Sequence, residues 1–338
     1  MSTPTGARSW PVVGGLFMVG LPDQVLDDST RELIVAGRIN DFILFKRNVG
    51  APEQLRQLCA DLAGACKKAG LPPPLISIDQ EGGTVARLPP PFTQFADARV
   101  LAEGPDPEAA LTAYARTCAA ELAAVGINMN LAPVLDLCPA GRNFYMERRV
   151  LGDDPATVAR LGCLVIRNMQ EQGLAACAKH FPGLGAARLD PHQTLPTLAR
   201  SREELERCDL LPFQAAADAG VAAIMTSHTI YPALDPRRPA TLSPLILTRL
   251  LRQSMGFRGV IVTDDLEMGA IENHHSVEEA ALAALHAGAD QLLVCHDHQK
   301  VRRCLARLEQ ALATGQLSPE RVGSSLDRIA ILRQYAAG

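Results

Sequence analysis

Short apolar runs alternate with amphipathic stretches along the 338 residues. Read in order, the runs predict eight strands: Val12–Val19, Asp41–Phe45, Leu75–Asp79, Asn128–Leu135, Leu174–Ala178, Val221–Ser227, Gly259–Thr263 and Gln291–Cys295. Runs this short and this apolar suit strands buried on both faces. Between them lie helical patterns. The clearest is Val158, Leu161, Gly162, Val165, Ile166 and Met169, whose spacing by three and four residues puts them on one helical face. Further helices are predicted near Pro52–Lys68, Pro107–Val125, Arg202–Asp218, Pro244–Met255, Val277–Ala287, Gln299–Thr314 and Pro319–Tyr335. Such alternation argues for a parallel α/β sheet, and eight repeats argue for closure into a (β/α)8 barrel of the TIM type. A doubly wound open sheet is the alternative architecture. No Gly/Ser linker, charge block or internal repeat marks a second domain, so one barrel domain over residues 1–338 is expected.

Composition narrows the class of partner. Hydrophobic residues make up 47% and charged residues 21%, with a net charge of −4. That balance fits neither a disordered chain nor a nucleic-acid surface, which leaves a small neutral or mildly charged molecule as the expected partner. Nine cysteines form no C-x-x-C pair and are scattered through apparent helices and strands, as at Cys163, Cys177 and Cys295. This argues against a disulfide framework or zinc site and for a reducing compartment. The run from Trp10 to Leu21 is apolar enough for a signal segment, but it holds three glycines, follows a single arginine and lacks a small-residue cleavage site. It reads instead as the first strand. Nowhere do eighteen apolar residues run uninterrupted, so no membrane span is predicted. The expected protein is cytoplasmic and monomeric.

The stretch from Ala178 to His192 is where chemistry concentrates. The strand ending at Ala178 is followed by Lys179-His180, and then Pro182, Gly183, Gly185 and Pro191 forbid regular structure. No helical pattern resumes until about Ser201, and a structureless connection of that length is usually a lid or a binding loop. Asp190 and His192 lie two apart, so in an extended segment they share a face. A carboxylate there can fix the imidazole tautomer and raise its pKa toward neutrality, a design for general acid/base work. A polar surface loop with no such role is the alternative reading of the same residues.

Polar clusters also end the other predicted strands: Ser77-Ile78-Asp79-Gln80-Glu81, Leu135-Asp136, Thr226-Ser227-His228 and Thr263-Asp264-Asp265. A closed barrel would bring these round one mouth, where barrel enzymes place their chemistry. Each has a plainer explanation: a strand-to-turn cap at Asp79-Gln80, a charged loop at Glu147-Arg148-Arg149, a structural ion pair for Lys179 and His180. The residues alone do not choose between Asp264 and Asp265.

Taken together, these segments closely resemble glycoside hydrolase family 3, specifically its β-N-acetylhexosaminidase branch. The resemblance rests on K-H-F-P-G-x-G followed by D-x-H at residues 179–192, I-D-Q-E-G-G-x-V-x-R at residues 78–87, Arg149 with Gly152, Asp154 and Pro155, and V-I-V-T-D-D-L-x-M at residues 260–268. Further matches run from Gly14 to Ser243, so it spans nearly the whole chain. The resemblance implies Asp264 as nucleophile, His192 oriented by Asp190 as acid/base, and Asp79, Arg87, Arg149, Lys179 and His180 as sugar ligands. Asp265 is then expected to cap the following turn. The chain departs from the family at Thr84, Val150, Leu151, Leu184 and Pro191, none of which is among the residues carried over.

The implied reaction is retaining hydrolysis of a terminal β-linked N-acetylglucosamine through a covalent glycosyl-enzyme. No metal is needed. No nucleotide cofactor is expected either, since neither G-x-x-x-x-G-K-[ST] nor a G-x-G-x-x-G following a strand occurs. In the family branch the substrate is a cytoplasmic peptidoglycan fragment ending in 1,6-anhydro-N-acetylmuramic acid and peptide. Chitin fragments, a phosphorolytic variant and a sugar-binding barrel without catalysis remain as alternatives.

Overall fold

Eight parallel strands close into a barrel in the computed structural model, which describes residues 13–141, 144–185 and 195–336. They are β1 (Phe17–Gly20), β2 (Asp41–Leu44), β3 (Leu75–Ile78), β4 (Met129–Asn130), β5 (Ala175–Phe181), β6 (Ala223–Thr226), β7 (Val260–Asp265) and β8 (Gln291–Val294). Each pairs with its neighbours in sequence, and β1 meets β8 to close the ring, with Phe17 beside Leu292 and Val19 beside Val294. The architecture is therefore the (β/α)8 barrel, not the open sheet. The strands are buried almost throughout, which is why they read as continuous apolar runs.

The helices follow their capping chemistry. Those at Pro52–Lys68, Pro107–Ala124 and Pro155–Gln170 each open on proline in the first turn, where no backbone N–H is required. Asp106 and Asp154 cap two of them by accepting from Ala109 N and Thr157 N. A helix at Asp28–Val35 was not legible in the pattern, being only eight residues long. Between Arg202 and Asp218 the helical run is interrupted by a π turn at Leu205–Asp209. Pro212, in the next turn, lacks the N–H that would bond to the carbonyl four residues back, and the wider turn accommodates it. The predicted helix over Pro244–Met255 is wound as a π-helical run, Leu245–Ser254.

Two strands have half the length of their apolar runs or less. Residues Val13–Leu16 form a 3-10 turn ahead of β1, where a Cβ on Gly14 would stand 1.9 Å from the Gly37 carbonyl oxygen; the backbones approach too closely for any side chain. In β4 the ladder stops at Asn130 because Pro133 has no N–H to donate. The segment stays beside β5 through Cys177 N to Ala132 O, Lys179 N to Pro133 O and Leu135 N to Lys179 O. A small antiparallel hairpin, Ile230–Tyr231 with Asp235–Pro239, follows β6 and was not foreseen. Cys163, Cys177 and Cys295 are buried free thiols. No helix among the described residues is long and apolar enough to cross a membrane.

Candidate active site

At the C-terminal ends of the strands lies a cavity of about 300 Å³, lined by Asp79, Arg87, Arg149, Lys179, His180 and Asp264. Six of the eight residues expected to act thus meet in one place. Asp190 and His192 lie outside the described residues.

The turn after β3 is built to bring Arg87 back over Asp79. Gln80 is its lock: its backbone N–H donates to Asn130 Oδ1, its carbonyl accepts from Tyr114 Oη, and its side-chain oxygen accepts from Arg87 N and Leu88 N. Gly82 and Gly83 take positive φ values of 100° and 54°, and a Cβ on Gly83 would collide with Asp97 at 1.9 Å. Arg87 Nη2 then lies 3.1 Å from Asp79 Oδ2. From β5, Lys179 Nζ reaches Asp79 Oδ1 at 2.7 Å and Glu81 Oε1 at 2.6 Å. Arg149 grips Glu81 with both arms of its fork, Nε to Oε2 at 2.9 Å and Nη2 to Oε1 at 2.8 Å. The adjacent Arg148 points outward to Asp97, so the structure separates two arginines that the sequence left side by side.

This is a chain of alternating charge, Arg87–Asp79–Lys179–Glu81–Arg149, and the electrostatics follow from it. Burial alone would raise the Asp79 pKa, but Lys179 and Arg87 outweigh it and hold the carboxyl well below the usual range. For Glu81, burial is likewise outweighed by Arg149 and Lys179, which bring it down to about 2. Lys179 is only 2% exposed; burial favours its neutral amine, yet Asp79 and Glu81 raise its pKa above the ordinary value. All five groups are charged at neutral pH, three cations against two anions.

His180 is oriented by Asp136, whose Oδ2 accepts from the His180 ring Nδ1 at 2.7 Å and from its backbone N–H at 3.2 Å. Because a carboxylate only accepts, Nδ1 carries the hydrogen and Nε2 is left for the cavity. Leu184 N donates to the other Asp136 oxygen at 2.6 Å, which ties down the start of the loop after β5.

On β7, Asp264 is half-buried and its Oδ1 accepts from the backbone N–H of Asp265 at 2.8 Å. It has no ion-pair partner among the described residues. Asp265 is committed elsewhere: Oδ1 accepts from Glu267 N at 3.1 Å, as a turn cap would, and Oδ2 lies 3.3 Å from His296 Nε2. Buried His228 supports this strand end, its Nε2–H donating to the Asp265 carbonyl at 2.9 Å. Burial pushes its pKa below the ordinary histidine value, so it is a neutral brace.

Glu81, Asp136, His296, Phe45 and Arg47 were missed as site residues. Glu81 and Asp136 stood at strand ends beside residues that were chosen, so their position was a signal. For Phe45, Arg47 and His296, placed round the mouth by β2 and β8, only barrel closure brings them in.

Comparison with known proteins agrees with this geometry. The model for the glycosyl hydrolase family 3 N-terminal domain matches residues 13–332. A β-hexosaminidase of Pseudomonas aeruginosa is 38% identical over 303 residues, 89% of this chain and 88% of that protein. One from Nitrosomonas eutropha is 34% identical over 328 residues, 95% and 92% of the two chains. Among solved structures, a family 3 β-N-acetylglucosaminidase from Paenibacillus sp. str. FPU-7 superposes with a TM-score of 0.93 at 39% identity, covering 98% of this chain and 63% of that one. NagZ from Neisseria gonorrhoeae in complex with N-trifluoroacetyl-D-glucosamine gives a TM-score of 0.76 at 29% identity, covering 95% and 98%. With a closed barrel, a charged cavity at its mouth and relatives matched over most of their length, the chain belongs to glycoside hydrolase family 3, as an enzyme of the β-hexosaminidase type.

Proposed function

We propose that the chain is a retaining β-N-acetylglucosaminidase with Asp264 as nucleophile and the Asp190/His192 pair as acid/base, and that it removes terminal N-acetylglucosamine from cytoplasmic peptidoglycan fragments. The observation that carries this reading is the state of the carboxylates round the cavity. Asp79 and Glu81 are each bound by two cations, Asp136 by His180 and Leu184, and Asp265 by Glu267 N and His296. Among the described residues Asp264 alone of these has no lysine, arginine or histidine paired with it, as suits a nucleophile.

A sugar whose hydroxyls and acetamido group lie among Asp79, Arg87, Arg149, Lys179 and His180 presents its anomeric carbon toward β7, on the opposite side of the ring of strands. An Asp264 oxygen attacks that carbon while the bond to the leaving oxygen breaks and His192 gives that oxygen its proton. Water then attacks the same carbon, its proton passes to His192, and the bond to Asp264 breaks. The complex of the gonococcal relative with an N-acylglucosamine analogue favours the same sugar. A 5-fluoro glycosyl fluoride of N-acetylglucosamine, which slows the second step, should leave its mass on the peptide holding Asp264. A label on another carboxylate, or none with an inverted product, would refute the assignment.

A further inference from the structure

The wall of the cavity between β7 and β2 differs from the rest. The cations and His180 all stand on the β3, β4 and β5 side, whereas on this side Ile43, Phe45, Met268, Leu293 and Cys295 line the cavity with apolar groups. Among the described residues the polar side chains there, apart from Asp264, are Asp265 and His296. If the sugar lies with its hydroxyls toward β3–β5 and its anomeric carbon at Asp264, the leaving group departs over this wall.

His296 is held in place for contact with it. The carboxylate of Glu267 accepts from its backbone N–H at 2.5 Å. Arg47 donates to its Nδ1 at 3.2 Å, and Arg47 is itself fixed by the carbonyls of Leu21 and Cys295, at 2.7 and 2.5 Å, with its guanidinium 4.6 Å from the Phe45 ring centre. With Nδ1 accepting, Nε2 carries the hydrogen and faces Asp265 Oδ2. That separation is 3.3 Å, against about 2.7–2.9 Å for a good charge-assisted hydrogen bond. The side chain is 54% exposed at the mouth.

We infer that His296 and Asp265 are the contact for the leaving-group sugar: one of its hydroxyls seats between them, accepting from Nε2–H and donating to Oδ2. This rests on the reading of Asp264 as the nucleophile. It gives His296 a role in choosing sugar leaving groups, distinct from the proton transfer assigned to His192.

The test must separate recognition from acid catalysis, since losing either slows a disaccharide. Two substrates with similarly poor leaving groups do so: a β-N-acetylglucosaminyl disaccharide, and a simple alkyl β-N-acetylglucosaminide with no hydroxyls beyond the scissile oxygen. In His296→Ala the ratio of kcat/KM for the disaccharide to that for the alkyl glycoside should fall about tenfold, the size of one lost hydrogen bond. His296→Gln, which restores an N–H donor, should recover part of the ratio, and the thermal midpoints of both variants report whether they fold. An unchanged ratio in folded variants overturns the inference. So does an equal fall on both substrates with azide restoring turnover, which would make His296 the acid/base. Failure of the wild-type enzyme to cleave either substrate would bring down the function itself and this inference with it, whereas wild-type activity with an unchanged ratio defeats the inference alone.

Discussion

The two ends of the barrel use the same residue types for opposite purposes. At the N-terminal end, Asp41 accepts from Arg333, Gln291 and the Leu75 backbone, while Asp290 accepts from Arg252, Arg328, Ser325 and the Ile261 backbone. Both carboxylates are fully buried, and Arg328 and Arg333 come from the C-terminal helix Pro319–Ala336 that closes this end. Saturated so, these groups hold structure together and have nothing left for a ligand. At the C-terminal end the ion chain from Arg87 to Arg149 borders the cavity, and Asp264 stands beside it with no ion-pair partner among the described residues. A cavity of about 460 Å³ lies at the N-terminal end between residues 256–259 and the C-terminal helix, and no carboxylate among the described residues lines it. What sets the C-terminal end apart is a carboxylate with no ion-pair partner among the described residues, standing beside fixed charges.

The largest effect should come from removing that carboxylate's charge. Asp264→Asn should lower kcat by about three orders of magnitude or more while N-acetylglucosamine still binds and the thermal midpoint holds, because charge is lost with little volume. Turnover near the wild-type rate would erase the contrast between the ends. Next comes His192→Ala, expected to cost roughly 10²- to 10⁴-fold on sugar leaving groups. Its first step on a dinitrophenyl glycoside, whose leaving group departs without a proton, should be spared, giving a burst, and azide should rescue the second step. Equal slowness on good and poor leaving groups without rescue would leave the acid/base unassigned.

At the other end the loss should fall on stability. Asp290→Ala removes the buried carboxylate that Arg252, Arg321 and Arg328, themselves only partly buried, share, and should cost about 3 kcal/mol in denaturant unfolding, with kcat per folded molecule unchanged. If activity fell while stability held, the division between the ends would be wrong.

The last effect shows only as a dependence on pH and concerns Asp209, which sits in the π turn against Gly183. Arg200 Nη1 is 3.1 Å from Oδ2, yet neither carboxyl oxygen has a well-formed hydrogen bond among the described residues. Burial pushes its pKa up to about 7 against the partial relief from Arg200. A carboxyl of this kind keeps its proton in the folded chain after the unfolded chain has lost it. Its contribution to stability therefore falls as pH rises from about 4 to about 7 and is level above. Asp209→Asn mimics the protonated form, so its thermal midpoint should match the wild type near pH 4 and exceed it at pH 8. A difference constant across that range would show that Asp209 is ionised throughout.

Much of this was legible in the chain itself. Strand and helix order followed from hydrophobic period, and strand ends pointed to Asp79, Lys179, His180 and the pair Asp264-Asp265 because barrel enzymes place their chemistry at those ends; only the resemblance chose Asp264 from the pair. Boundaries were lost where a single residue overrides the pattern: Pro133 cutting β4 to Met129–Asn130, Gly14 allowing a close approach ahead of β1, Pro212 with a π turn in the helix before it. The hairpin at residues 230–239 left no alternation to read, because its second strand, Asp235–Pro239, carries two arginines and two prolines.

By itself, then, the sequence determined the repeating β/α pattern and the residue types at the mouth, since both depend on local order along the chain. Only the tertiary structure decided which charges meet. Lys179 and Asp79 are one hundred residues apart and touch at 2.7 Å; Arg149, not Arg148, turns inward to Glu81; His296 reaches Asp265 across two strand ends. Pairing of this kind depends on distance in space after closure of the ring. That pairing also tells two adjacent aspartates apart: Asp265 meets Glu267 N and His296, whereas Asp264 has no ion-pair partner among the described residues.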